Sequence, residues 1–257
     1  MDIGASTGPY VERIESLPSR FSFAEIALGE GELPLADIDT DRLAERFSRH
    51  NLSAVVHLPY RQPLSTPVDR IDDETVAYLD RVLKTAASLD AHTAVAHPSA
   101  RGAGHATDRL TDRMSELAAC GRSRDVTVCF ETVGYAGGVE LHRLGDLATR
   151  ADVAICLDVG YAYLEAGAEG VAEFLDSYGD LVEHLHVHGA RHRGDTHIPV
   201  GSGDVEYGPI GTALADTVDD ATATIEVFTD DPEYLTLSAQ KFRSAVGNDA
   251  ASDPESA

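Results

Sequence analysis

The sequence predicts a (β/α)8 barrel, and three observations carry that reading. Eight short apolar or β-branched runs recur along the 257 residues. Segments of helical period separate most of them. The runs are close to continuously apolar, as parallel strands covered on both faces are. Strands alternating with helices make βα units in a parallel sheet, and a length near 250 residues is typical of one closed barrel. An open, doubly wound sheet is the alternative use of the same units. It is disfavoured because no glycine fingerprint of the dinucleotide-binding kind follows the first run.

The predicted strands cover residues 2–6, 23–28, 53–58 (SAVVHL), 93–97 (TAVAH), 126–132 (VTVCFET), 153–159 (VAICLDV), 183–188 (EHLHVH) and 223–228 (ATIEVF). The first connection, 10–17, is short. A helix over 41–50 places Leu43 and Phe47 four apart. One over 73–88 stacks Val76, Leu79, Val82 and Leu83 in a stripe, with Asp72 as its expected N-cap. Helices over 108–122, 141–150, 170–178, 209–218 and 232–245 complete the pattern. The chain reads as one domain over 1–246. The small, acidic stretch 247–257 (GNDAASDPESA) is expected to be disordered.

Acids outnumber bases by 44 to 20, for a net charge of −24, and only Lys84 and Lys241 are lysines. Such a surface resembles that of proteins from salt-loving organisms, where charge keeps a protein in solution and salt screens the self-repulsion. It lacks the basic footprint that drives binding to a nucleic-acid backbone. Cys120, Cys129 and Cys156 are widely spaced and read as reduced thiols. No run of 18 apolar residues occurs, and the N-terminus has no basic-then-apolar signal pattern. A cytoplasmic protein without a membrane partner is expected, and the sequence is compatible with self-assembly.

Chemistry concentrates at the predicted strand ends, where barrels of this kind carry their active sites. The third run ends in His57, followed by Tyr60. The fourth ends in His97, the fifth in Glu131, and the sixth carries Asp158. The seventh continues as HLHVHGARHRGDTH, with His184, His186 and His188 on one face, and then Asp195 and His197. The eighth carries Glu226. Three carboxylates inside apolar runs would be costly to bury unpaired, and acids are in excess, so basic partners are scarce. A bound metal explains all six ends together. The nitrogen and oxygen donors suit Mn²⁺ or Zn²⁺, with Mg²⁺ and Co²⁺ as further choices.

On these residues the chain resembles the xylose isomerase-like TIM barrels, a superfamily that also holds the endonuclease IV type of abasic-site nuclease. The resemblance spans roughly residues 2 to 230. It implies that Glu131, Asp158, His186 and Glu226 hold one metal. It further implies that Glu131 and Glu226 act as the acid/base pair of a sugar or sugar-phosphate isomerase or epimerase working through an enediolate. In the nuclease branch two more histidines hold a second metal, which here implies His57 and His97 with Glu131 as bridge. The third metal of that branch implies Asp195 and His197, ahead of the Gly201-Ser-Gly203 turn, but Tyr161 stands where its remaining histidine belongs. Tyr60, Tyr161, His188, Arg191 and Arg193 are the expected substrate contacts, the two arginines for phosphate or sugar oxygens. The family often has an aspartate where this chain has Gly189, so a supporting partner for the metal ligand is expected to be missing. An abasic-site phosphodiesterase is the alternative function. A barrel that binds without catalysing is the third, set back by the presence of all four core ligands.

Overall fold

The computed structural model describes residues 1–102, 106–218 and 220–247. The acidic stretch from 248 onward lies outside the described residues. Eight parallel strands close into a barrel in sequence order: β1 (Ile3–Gly8), β2 (Phe23–Ala27), β3 (Ser53–His57), β4 (Thr93–Ala96), β5 (Thr127–Glu131), β6 (Ala154–Asp158), β7 (Val182–Val187) and β8 (Thr222–Ile225). β8 pairs back onto β1, with Ile3 beside Ala223.

The crossovers are helices α1 (Thr40–Arg49), α2 (Asp69–Ser88), α3 (Ala106–Arg122), α4 (Leu141–Ala151), α5 (Val159–Tyr178) and α6 (Tyr207–Thr217), and α7 (Pro232–Ala245) follows β8. The short first connection is a 3-10 helix, Val11–Ser16. Alternation along each strand sends one set of side chains outward. Ile26, Val56, Phe130, Leu157, Leu185 and Ile225 join one core with helix residues such as Leu117, Phe174 and Phe242. The other set fills the barrel. Among the described residues, no helix is long and apolar enough to cross a membrane.

Two elements depart from the sequence reading. α5 starts eleven residues earlier than the predicted 170, directly after Asp158. Its two halves meet at Gly167, whose φ of 71° suits glycine alone, and this break hid the first half. α2 starts at Asp69, so Asp72 is not its N-cap. Asp72 is fully buried inside the first turn, where its Oδ1 accepts from the Thr66 N–H (2.8 Å) and hydroxyl (2.7 Å). It fastens the β3–α2 loop to the helix.

Asp72→Ala removes both hydrogen bonds and leaves the buried Thr66 N–H unsatisfied. Chemical denaturation should show a loss of about 1–3 kcal/mol with the secondary structure retained. An unchanged midpoint would mean that other contacts hold this loop.

Candidate active site

The inward side chains of β5 to β8 converge at the C-terminal mouth of the barrel. The register sets Asp158 beside His186, and His186 beside Thr224. His186 is fully buried. Its Nδ1 lies 3.0 Å from Glu131 Oε1 and 3.2 Å from Glu226 Oε2. One donor atom each from Glu131, Asp158, His186 and Glu226 can be chosen so that all lie within 4.8 Å of one another. Glu226 sits one residue past β8, and its buried Oε2 makes no well-aligned hydrogen bond, facing only the ring nitrogens of His186 at 3.2 Å and His197 at 3.4 Å. Such an oxygen is costly unless a cation or donor meets it.

The other nitrogen of His186 reveals a residue that the sequence reading passed over. Nε2 lies 3.2 Å from Glu25 Oε2, on β2. Glu25 is 1% exposed. It also faces His184 Nε2 at 3.3 Å and accepts from the Thr224 hydroxyl at 2.6 Å. His184 is anchored on its far side by the Thr222 hydroxyl, 2.7 Å from Nδ1. Glu25 thus supplies the supporting carboxylate that the glycine at 189 does not. The signal was present in the sequence: Phe23-Ala24-Glu25-Ile26 is another carboxylate inside an apolar run.

Electrostatics bind this group together. Burial opposes charge on His186, but Cys156 and the carboxylates of Glu25, Glu226 and Glu131 outweigh it and raise its pKa well above the usual value. Burial likewise pushes Glu131 upward, and His97 and His186 overcome it, holding the carboxyl well below its normal range. Glu25 is lowered by His186 and His184 in the same way, against burial.

A second cluster shares Glu131. Its Oε2 lies 2.7 Å from His97 Nε2 and 3.3 Å from His57 Nε2. Burial disfavours charge on His57, yet the Glu131 contact lifts its pKa to about 9. A third cluster joins Asp158, His188 and His197. His188 is fully buried, with Nε2 3.0 Å from Asp158 Oδ1. Asp158 also caps α5, accepting from the Tyr161 N–H at 2.7 Å. The His188 Nδ1–H donates to the Gly189 carbonyl (3.0 Å), and the His188 and His197 rings stack at 4.2 Å. A Cβ on Gly160 would fall 2.2 Å from the His188 ring, so a bare backbone is needed there. Burial opposes charge on His188 too, and Asp158 raises its pKa to about 9.

These residues surround a cavity of about 1140 Å³. Glu131, Glu226, His57, His97 and His197 reach it from the floor, and Tyr60, Tyr161 and Phe228 from the walls. His188, expected at the substrate, does not line the cavity but lies beneath, against Asp158. Asp195 is also apart from the donor groups. Its carboxylate is clamped by Arg193 at 2.8 Å and Arg191 at 3.0 Å, which hold it below its usual pKa. The arginines are turned to that clamp and to the Ser202 carbonyl, and neither lines the cavity. The Asp195-Thr-His197 stretch therefore divides, with His197 turned inward and Asp195 outward. His197 has a φ of 54°, and this reversal of the backbone separates the two side chains.

The charged histidines make the ion-free chain sensitive to pH. His57 and His188 have raised pKa values, so their contribution is complete below about 6.5 and is lost as pH climbs through about 9. Thermal melts of chelator-treated protein should drop by several degrees between these values. A flat melting temperature across that window would contradict these pairings.

Comparison with known proteins places this arrangement. No curated protein matches the sequence. The architecture is shared with a D-tagatose 3-epimerase-like protein, at a TM-score of 0.80 and 20% identity, over 98% of this chain and 100% of that one. D-psicose 3-epimerase from Clostridium cellulolyticum H10, solved with D-tagatose, superposes at 0.77 with 18% identity, over 96% of this chain and 99% of that one. The IolI protein with a bound zinc atom superposes at 0.75 with 15% identity, over 96% and 98%. A family match covers residues 20–245, and the chain belongs to the Xylose isomerase-like TIM barrel family.

Proposed function

We propose that the chain is a divalent-metal-dependent isomerase or epimerase of a sugar or sugar phosphate. The observation that carries this reading is the set Glu131, Asp158, His186 and Glu226, whose donor atoms gather within 4.8 Å of one another at the base of the cavity that Glu131 and Glu226 line. The donor chemistry fits a hard or borderline divalent cation, Mn²⁺ or Zn²⁺ before Mg²⁺ or Co²⁺. When bound, such an ion would offset the carboxylate charge and polarise adjacent oxygens of an open-chain ketose. Solved relatives described as sugar 3-epimerases, and one described with zinc, support the reading.

The chain's own groups supply the proton chemistry. Glu131 and Glu226 both reach the cavity, and both are held ionised by facing histidines. One carboxylate takes the proton from the carbon beside the carbonyl, leaving an enediolate; that carboxyl, now protonated, or the other once solvent has protonated it, returns a proton to carbon. Glu25 fixes the orientation of His186 through Nε2 and leaves Nδ1 facing the cluster. Tyr60 and Tyr161 wall the cavity and limit water around the reacting carbon.

One observation favours the alternative of an abasic-site phosphodiesterase. His57 and His97 meet on Glu131 and form a second donor group that shares that carboxylate. Against it, Asp195 is committed to two arginines, Tyr161 offers no imidazole, and a net charge of −24 opposes a DNA backbone.

Ketoses and their phosphates, assayed with added Mn²⁺, should turn over in the wild type. Glu131→Ala and Glu226→Ala should each lower kcat by roughly 10²–10⁴-fold or more with unchanged circular dichroism. Wild-type turnover in either variant would remove that residue from the mechanism. Cleavage of an abasic-site oligonucleotide without any ketose activity would favour the alternative.

A further inference from the structure

The cavity is larger than a small sugar needs. Its volume, about 1140 Å³, lies just above the range of roughly 300–1,000 Å³ filled by drug-sized ligands. Its two ends also differ in charge. The floor carries Glu25, Glu131 and Glu226, whereas the rim carries Arg13, Arg61 and Arg101 against the two acids Glu32 and Asp230. Three cavity-facing arginines stand out in a chain with only 20 basic residues.

The three are not equivalent. Arg13 is engaged, with NH2 2.6 Å from Asp230 and its guanidinium over the Tyr10 ring. Arg61 makes a long contact, 3.6 Å to Glu32, and lies over the Tyr60 ring at 5.6 Å, with its side chain 62% exposed. The Arg101 guanidinium has no partner among the described residues. Arg61 and Arg101 stand on adjacent loops, after β3 and β4. Backbone bonds stitch these loops together: the Leu64 N–H donates to the Ser99 carbonyl (2.9 Å), and the Arg101 N–H to the Ser65 carbonyl (2.8 Å). The two cations therefore share one fixed wall. The opposite corner, after β8, presents Phe228 and the Arg13–Asp230 pair, which leaves no free cation for an anion there among the described residues. Phosphate seats in such barrels usually use the loops after β7 and β8, and here the cation at that position is already paired.

Resting on the isomerase reading above, we propose that the substrate is a phosphorylated ketose whose phosphate is seated by Arg61 and Arg101, with its carbonyl end at the acidic floor. Guanidinium groups bind a phosphate dianion through paired N–H donors. Repulsion from the floor carboxylates excludes the reversed orientation. Arg191 and Arg193 take no part, since Asp195 occupies both.

The test is calorimetric titration at fixed ionic strength, on the full chain. Inorganic phosphate titrated into chelator-treated protein should bind saturably. R61Q and R101Q should each weaken it about tenfold, and R191Q should leave it unchanged. With Mn²⁺ bound, D-fructose 6-phosphate should bind at least tenfold more tightly than D-fructose, and the R61Q/R101Q double variant should close that gap. These side chains lie on the rim, and a melt confirms that each variant folds. No phosphate binding, binding indifferent to Arg61 and Arg101, or binding lost in R191Q would overturn the seat. The chelator-treated arm needs no ion, so retention of metal judges the isomerase reading separately.

Discussion

The imidazole of His186 is the point on which the site depends. It is fully buried, with Glu25 on one nitrogen and both Glu131 and Glu226 on the other. One imidazolium cannot balance three carboxylates. The surplus negative charge sits in a space where burial disfavours any unpaired charge. Neighbouring histidines offset part of it, and a divalent cation would offset the rest. The same arrangement that is costly for folding makes a cation site. Replacing any one partner leaves an uncompensated charge, so the cluster behaves as a unit.

The barrel makes this concentration of charge tolerable. Its outward strand faces pack apolar residues against the helices and carry the stability, which leaves the inward faces free for polar groups. Asp158 shows how tightly the two are joined. Its carboxylate caps α5, meets His188 and belongs to the donor group around His186. Gly160, two residues on, leaves room for the His188 ring behind it. Conflict between local rules and global need is expected where function resides.

The strands and their ends were legible because parallel strands read as apolar runs, and polar residues at their ends break the pattern visibly. Glu131, Asp158, His186 and Glu226 announced themselves in this way, and the structure brings their donor atoms together. Glu25 carried the same signal. It lies in the middle of its strand, whereas attention to strand ends selects only the mouth of the barrel. Side-chain direction in loops was not legible. Asp195 and His197 are two apart, but the left-handed backbone at His197 sends them to different sides. The partners of Arg191 and Arg193 follow from that turn. The break at Gly167 concealed half of α5, because a glycine in a helical pattern reads equally well as a boundary. Asp72 looked like a cap from its place before a run of helix formers. It is instead a buried acceptor for a loop that no local pattern predicts.

The central claim is that the carboxylate surplus around His186 holds one divalent ion. Metal content per chain, measured by elemental analysis of protein purified without chelator, tests it most directly. The account predicts one tightly held ion per chain, manganese before zinc, which His186→Ala releases. A chain that retains no ion, or one that keeps it without His186, would contradict the claim. Two or three ions per chain, mainly zinc, would show His57 and His97 to be ligands as well and shift the chemistry toward phosphodiester hydrolysis.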